Sequence, residues 1–140
     1  MKSLIAAVFA FAAISVVPAS AQNLQGVWMS ADGGTKVRIS ECGRAMCGNI
    51  VWLKRPLDEN GKPRNDTLNP DAAKRTRPMM GLQVASLRPD KSGGWIGQIY
   101  NADEGKSFNV VLTMQSANSA TIKGCVLGVL CKSVQWARVG

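Results

Sequence analysis

The chain contains no histidine at all. Histidine is the usual general acid or base near neutral pH and a member of most nucleophilic triads, so its absence removes those catalytic designs. Two neighbouring carboxylate pairs remain, Asp58-Glu59 and Asp103-Glu104, but adjacent side chains in an extended chain point in opposite directions. We therefore expect a protein that is not an enzyme, with no catalytic residue, no metal site and no cofactor.

Long apolar runs are also scarce. The longest, Leu4 to Val17, has 14 residues, whereas a membrane-spanning helix needs about 20. It follows Lys2 and ends at Pro18, just before the small residues Ala19-Ser20-Ala21, which is the layout of a secretory signal peptide. We predict export into a bacterial periplasm with cleavage after Ala21. Residues 22–140 then form the mature protein, a single domain without a transmembrane segment.

Helical periodicity is missing too, because no window of about 12 residues shows an apolar helical stripe. Apolar residues instead alternate with a period of two, as in Lys36 to Ser40 and along Phe108, Val110, Leu112 and Met114. Turn residues separate the predicted strands, which are 26–30, 36–40, 48–53, 81–88, 95–100, 108–114, 121–123 and 135–139. About eight short strands predict an all-β, antiparallel barrel or sandwich, and closing the sheet favours the barrel because it removes exposed edges.

The four cysteines are Cys42, Cys47, Cys125 and Cys131. An even number in an exported chain favours two disulfides. Zinc is the rival interpretation, but these spacings without histidine match zinc sites poorly. Three pairings are open. We favour Cys42–Cys47 with Cys125–Cys131, because each pair brackets a glycine-containing turn.

One segment interrupts the strand pattern. Residues 54–80 hold four of the six prolines and seven basic residues against four acidic ones. Such long loops are usually functional or disordered. One interpretation is a tolerated, solvated insertion. The other is a contact surface across the mouth of the barrel, with an anion-facing cluster made of Lys54, Arg55, Lys74, Arg75 and Arg77.

The formal net charge is +8, of which the predicted signal peptide supplies only Lys2. Positive charge favours acidic partners, and outside the cytoplasm these are envelope components or an anionic ligand rather than nucleic acid. Two functions remain: binding of a small apolar or anionic ligand in or at the mouth of the barrel, or a protein-interaction module, inhibitor-like or chaperone-like, acting through residues 54–80. The interior volume distinguishes them. The four tryptophans favour a mostly filled core, which would leave only the surface; they are Trp28, Trp52, Trp95 and Trp136.

Short motifs follow one another in a specific order along residues 26–138. They are Gly26-Val27-Trp28, Glu41-Cys42-Gly43, Met46 to Val51, Asn65-Asp66, Asn69-Pro70, Arg77-Pro78, Gly81-Leu82, Gly94-Trp95, Gly97, Ile99-Tyr100-Asn101, Gly105-Lys106, Gly124-Cys125, Leu130-Cys131 and Trp136-Ala137-Arg138. In this order the chain resembles the bacterial family known as domain of unknown function 2147. Ala102 departs from it, since the family often has proline there. The resemblance implies a secreted, β-barrel-like domain and no agreed activity.

A second resemblance concerns the two ends of the domain. Gly26 and Trp28 in the first strand, with Arg138 near the chain end, are similar to a pattern of the lipocalins. In those barrels the arginine covers the tryptophan and closes one end. The resemblance therefore implies a lipocalin-like barrel in which Arg138 stacks on Trp28. The alternative is a core tryptophan and an unrelated surface arginine.

Overall fold

Eight antiparallel strands form one closed barrel in this computed structural model, which describes residues 6–13, 24–126 and 130–140, without the side chain of Val126. The strands are β1 (Gly26–Met29), β2 (Thr35–Cys42), β3 (Ala45–Leu53), β4 (Gln83–Pro89), β5 (Trp95–Asn101), β6 (Lys106–Ser116), β7 (Ser119–Val126) and β8 (Leu130–Arg138). Each strand pairs with the next along the chain, and β8 pairs with β1. The predicted all-β barrel of about eight strands is confirmed.

The predicted signal peptide falls mostly on residues that are not described. Residues 6–13 are exposed and have no regular secondary structure. The predicted cleavage site after Ala21 lies outside the described residues. Within the described part of the chain, no helix has the length and apolarity that crossing a membrane requires.

Because every strand runs opposite to its neighbours, the connections alternate between the two ends of the barrel. The open end carries the β1–β2 turn, the long β3–β4 loop of residues 54–82, the β5–β6 turn and the start of β8. The closed end carries the β2–β3, β4–β5 and β6–β7 turns, the residues before β1 and the last residues of the chain.

The closed end is plugged by Arg138 and Trp28. The Arg138 guanidinium lies 4.5 Å from the centre of the Trp28 ring, and its Nε donates to the carbonyl of Ala117 at 2.9 Å. Its Nη1 donates to the carbonyl of Gln25. A Cβ on Gly26 would collide with this guanidinium, so the position requires glycine. The structure thus brings Gly26, Trp28 and Arg138 together.

Both disulfides join strands that are neighbours in the sheet. Cys42 and Cys47 bridge the β2–β3 hairpin at the closed end, with their Cα atoms 5.7 Å apart. Cys125 and Cys131 are directly opposite each other on β7 and β8, with Cα atoms 4.0 Å apart. The pairing is therefore the local one that the turns favoured.

Candidate functional site: the barrel cavity and its mouth

A cavity of about 510 Å³ occupies the barrel toward its open end. Its wall is mostly apolar because inward-facing positions of the strands carry aliphatic and aromatic side chains. The wall residues include Val37, Ile50, Val84, Ile99, Phe108, Val110, Ile122, Val134 and Trp136. The expectation of a mostly filled interior was wrong.

The positions of the four tryptophans explain that error. Trp28 is fully buried beneath Arg138 at the closed end, and Trp95 is buried at the start of β5 at the same end. A β-bulge shifts the register beside Lys36 and turns Trp52 outward, where its ring lies 4.8 Å from the Lys36 ammonium. Of the four, only Trp136 lines the cavity.

The mouth of the cavity is not basic. Three carboxylates line it, those of Asp32, Asp103 and Glu104, against the single cation Lys132. Hydrogen bonds from the Ser30 hydroxyl and from a backbone N–H lower the pKa of Asp32, so that carboxylate is charged at neutral pH. None of the five residues of the predicted anion-facing cluster lines the cavity. The predicted cluster therefore does not line the cavity, and its role as an anion-facing surface of the loop stays a prediction.

The β3–β4 loop folds back on itself instead of trailing into solvent. Its two arms meet where Asp66 N–H donates to the carbonyl of Arg77 at 2.8 Å and Met79 N–H donates to that of Arg64 at 3.0 Å. Its tip contains a single 3-10 turn, Ala72–Lys74, capped by the side chain of Asp71. The loop closes one side of the cavity, because Met79 is buried and forms part of the wall.

The loop packs against the β5–β6 turn at two points. The backbone of Leu68 lies so close to Gly105 that any Cβ there would collide with the Leu68 carbonyl, and Gly105 has a positive φ of 66°. Arg64 also forms a 2.7 Å ion pair with Asp103. These contacts fasten the loop to the β5–β6 turn, which lies beside the strand that ends the loop.

The fully buried carboxylate of Asp66 holds the loop to the barrel. Its Oδ2 accepts hydrogen bonds from Asn69 Nδ2 and from Arg77 Nη2, both at 2.8 Å. Its Oδ1 accepts one from the Tyr100 hydroxyl at 2.5 Å. Because the ring of Tyr100 also lines the cavity, the same side chain belongs to the network and to the wall.

This network shifts two pKa values in opposite directions. Burial alone would raise the pKa of Asp66, but hydrogen bonds from Arg77, Tyr100 and Asn69 outweigh it and hold the pKa below its usual value. Burial and the adjacent Asp66 anion raise the pKa of Tyr100 to about 12. At neutral pH the pair is therefore a carboxylate that accepts and a phenol that donates.

The five predicted loop cations do not act as one group. Arg77 is paired with Asp66, and Arg75 Nε donates to the carbonyl of Asn69 at 2.8 Å. Both arginines thus bond to groups of the loop itself, although Arg75 is exposed. Lys54, Arg55 and Lys74 are exposed.

Reasoning from the sequence missed the Asp66 network. Its four side chains come from two segments that are far apart in the chain, so no local pattern predicts their contact. One signal was present: all four positions fall in the ordered motifs, at Asp66, Asn69, Arg77 and Tyr100.

Across residues 6–13, 24–126 and 130–140, no group of three His, Cys, Asp or Glu side chains is placed to hold a metal ion.

Comparisons with known proteins agree with this architecture. The model of a family described as "Uncharacterized protein conserved in bacteria (DUF2147)" matches residues 26–138. A solved structure titled "Protein HP1028 from the human pathogen Helicobacter pylori belongs to the lipocalin family" is similar, with a TM-score of 0.67 and 20% identity over 84% of this chain and 83% of that one. At that identity the likeness concerns the fold, which is lipocalin-like. No curated protein matches the sequence.

Proposed function

The chain belongs to the bacterial family DUF2147, and from that premise we propose that it is an exported, non-enzymatic protein that binds a small apolar or amphipathic molecule in its barrel cavity. The observation that carries this proposal is the apolar cavity of about 510 Å³ behind an open mouth. Small-molecule sites typically measure roughly 300–1,000 Å³ and are lined mainly by apolar side chains. Eight-stranded barrels have interiors of the size that holds one small ligand.

The wall supports an apolar ligand because its apolar side chains offer water few hydrogen bonds. Val110 and Ile122 face the cavity from adjacent strands, and Phe108 lies nearer the mouth. Transfer of apolar surface from water contributes about 25 cal/mol per Å². A ligand that covers this wall therefore gains affinity chiefly through the hydrophobic effect.

The mouth supports a ligand whose polar end is uncharged. The side chains of Asn101 and Lys132 line it and can orient a hydroxyl or an amide. Of the carboxylates there, Asp103 is paired with Arg64, and Asp32 and Glu104 face the one lysine, so the lining offers no excess of positive charge to hold an anionic group. The lining thus favours an amphipathic molecule over the anionic ligand that the composition first indicated.

Export is supported by the two disulfides, since such bonds persist in oxidising compartments. Binding without catalysis is supported by the state of Asp66, the most buried carboxylate beside the cavity. Its two oxygens already accept from three side chains, and its pKa is held low, so it is a poor proton donor or acceptor for a substrate.

A cavity-filling variant tests the proposal. Gly124 faces the cavity, and a Cβ there has ordinary contacts of 3.6 Å with Phe108 and Val110, so a side chain can project inward. Native mass spectrometry of protein purified from its own envelope should reveal a bound small molecule. Gly124→Phe should reduce its occupancy about tenfold, whereas the matched control Gly124→Ala should retain it, with both variants melting near the wild-type temperature.

Equal occupancy in wild type and folded Gly124→Phe would place the molecule outside the barrel and overturn the proposal. The proposal also fails if the wild type carries no small molecule and binds no apolar fluorescent probe. A copurifying protein in place of a small molecule would favour the interaction module acting through residues 54–80.

A further inference from the structure

Four large apolar side chains are exposed at the open end of the barrel. Leu57, Leu68 and Met80 in the β3–β4 loop are 54%, 56% and 47% exposed, and Leu130 at the start of β8 is 71% exposed. We call these four residues the apolar rim. Leu130 forms part of the cavity lining, and the other three lie in the loop at the same end of the barrel.

The loop holds Leu68 outward by a rigid framework. Leu68 lies between the buried Asp66 and the buried Asn69, whose side chains hydrogen-bond to each other at 2.8 Å. Its carbonyl is packed against Gly105 on the barrel. The contacts on both sides of Leu68 hold its backbone against the barrel, while its side chain is more than half exposed. The loop therefore presents an apolar side chain to solvent at the open end of the barrel.

Cations accompany the apolar rim. Lys54, Arg55 and Lys62 flank Leu57 along the chain, and Lys74 lies at the tip of the loop; all four are exposed.

The acidic residues of the loop offset these cations only in part. Asp58 accepts backbone N–H groups from Asn60 and Lys62 within its own turn, Asp71 caps the 3-10 turn, and Asp66 is paired with Arg77. Glu59 is exposed as well. With seven basic residues against four acidic ones, the loop still has a net positive charge beside its exposed apolar side chains.

We propose that the open end of the barrel docks on an anionic lipid surface, with the apolar rim in the lipid interface and the loop cations at the lipid phosphates. Peripheral proteins bind membranes by this combination of apolar side chains and lysine or arginine. The placement puts the cavity mouth against the lipid, so an apolar molecule can pass between membrane and barrel without crossing water. The inference goes beyond ligand binding and does not depend on it.

The chain offers a matched control for the apolar rim. Ile96 and Val111 are paired across β5 and β6 on the outer wall and are 42% and 41% exposed. They are apolar and exposed like the rim residues, though less exposed than Leu68 and Leu130, and lie on the side of the barrel. If exposed hydrophobicity alone drove binding, both pairs would contribute in proportion to their exposure, whereas docking by the open end predicts a large effect at the rim and almost none at the wall.

Cosedimentation of the purified full chain with vesicles tests the proposal. Vesicles of equal parts phosphatidylglycerol and phosphatidylcholine should bind it, and binding should fall as salt rises because exposed charges are screened within about 8 Å at physiological ionic strength. The double variant Leu68→Thr, Leu130→Thr should lose about tenfold in partitioning. The control double variant Ile96→Thr, Val111→Thr should stay within about twofold of the wild type.

Several results would overturn the inference. One is absence of binding of the wild type to the anionic vesicles. Another is an equal loss in the rim and wall variants. If the rim double variant melts early, the single variant Leu57→Thr replaces it, since Leu57 lies in a separate small turn paired with Pro63. Ligand occupancy measured without vesicles is a separate result, so a failure of docking leaves the cavity proposal standing, and the reverse also holds.

Discussion

The Tyr100 hydroxyl donates a 2.5 Å hydrogen bond to the buried carboxylate of Asp66, which lies 34 positions earlier in the chain. This bond connects strand β5 to the β3–β4 loop. Since the Tyr100 ring also lines the cavity, the shape of the cavity wall depends on the position of the loop. The β3–β4 loop and the cavity wall at the open end thus form one structural unit.

The ionisation of Tyr100 can be followed alone, because it is the only tyrosine in the chain. Tyrosinate absorbance should titrate at about 12 in the folded protein, against about 10 after unfolding. Asp66→Asn should lower the folded value, because it removes the adjacent anion. A folded wild-type titration at about 10 would contradict the network.

The same pKa shift predicts how stability changes in alkali. The folded pKa of Tyr100 is raised, so its contribution is complete below about pH 10 and is lost as the pH rises toward 12. Tyr100→Phe lacks this group. The stability difference between wild type and Tyr100→Phe should therefore shrink over that interval in urea unfolding, and a constant difference would argue against it.

Arg77 and Lys74 should behave differently although both are loop cations. Arg77→Ala removes a partner from the buried Asp66, and we expect a loss of about 1–3 kcal/mol, below that of a fully buried pair because the Arg77 side chain is 41% exposed. Lys74→Ala is the control and should change stability by less than about 0.5 kcal/mol. Chemical denaturation measures both, and equal effects would refute the distinction.

Closure of the barrel end predicts coupling between Arg138 and Trp28. Arg138→Ala removes the stacking and leaves the carbonyls of Gln25 and Ala117 without this donor. We expect a loss of about 1–3 kcal/mol. In a double-mutant cycle with Trp28→Ala the losses should be non-additive, because residues in contact share interactions. Additivity within error would show that the contact contributes nothing.

Trp136 should report ligand binding by fluorescence. It lines the cavity, whereas Trp52 lies on the outer wall beside Lys36. Adding an apolar ligand should shift the emission of the wild type and of Trp52→Phe alike, because the cavity is unchanged in both. Trp136→Phe should lose most of the shift. A shift that disappears with Trp52→Phe would indicate binding at the outer wall.

The strands and the disulfides could be predicted because their signals are local. Alternation with a period of two marks an inward face, as along Val110 and Leu112, and turn residues mark where each strand ends. Cys42 and Cys47 flank a single hairpin, so their pairing follows from the same turn. The predicted strand limits were short mainly at β7, which runs from Ser119 to Val126, and at β8, which begins at Leu130.

The interior and the loop could not be predicted in the same way. Trp52 was expected inside, but a bulge opposite Lys36 changes which face it occupies, and one extra residue reverses the alternation. Arg75 and Arg77 were expected to face an anion outside, but the loop turns them toward Asn69 and Asp66. The sequence shows which residues are charged but not in which direction their side chains point.

The sequence by itself determined the eight strands, their order and their turns, because period and turn chemistry act between residues that are close along the chain. Only the tertiary structure decided that the barrel is hollow toward one end and that Asp66 joins the loop to Tyr100. Both depend on which side chains meet after the sheet closes. Burial then determines the partners of Asp66, since a carboxylate removed from water must accept hydrogen bonds from whichever donors the fold places beside it.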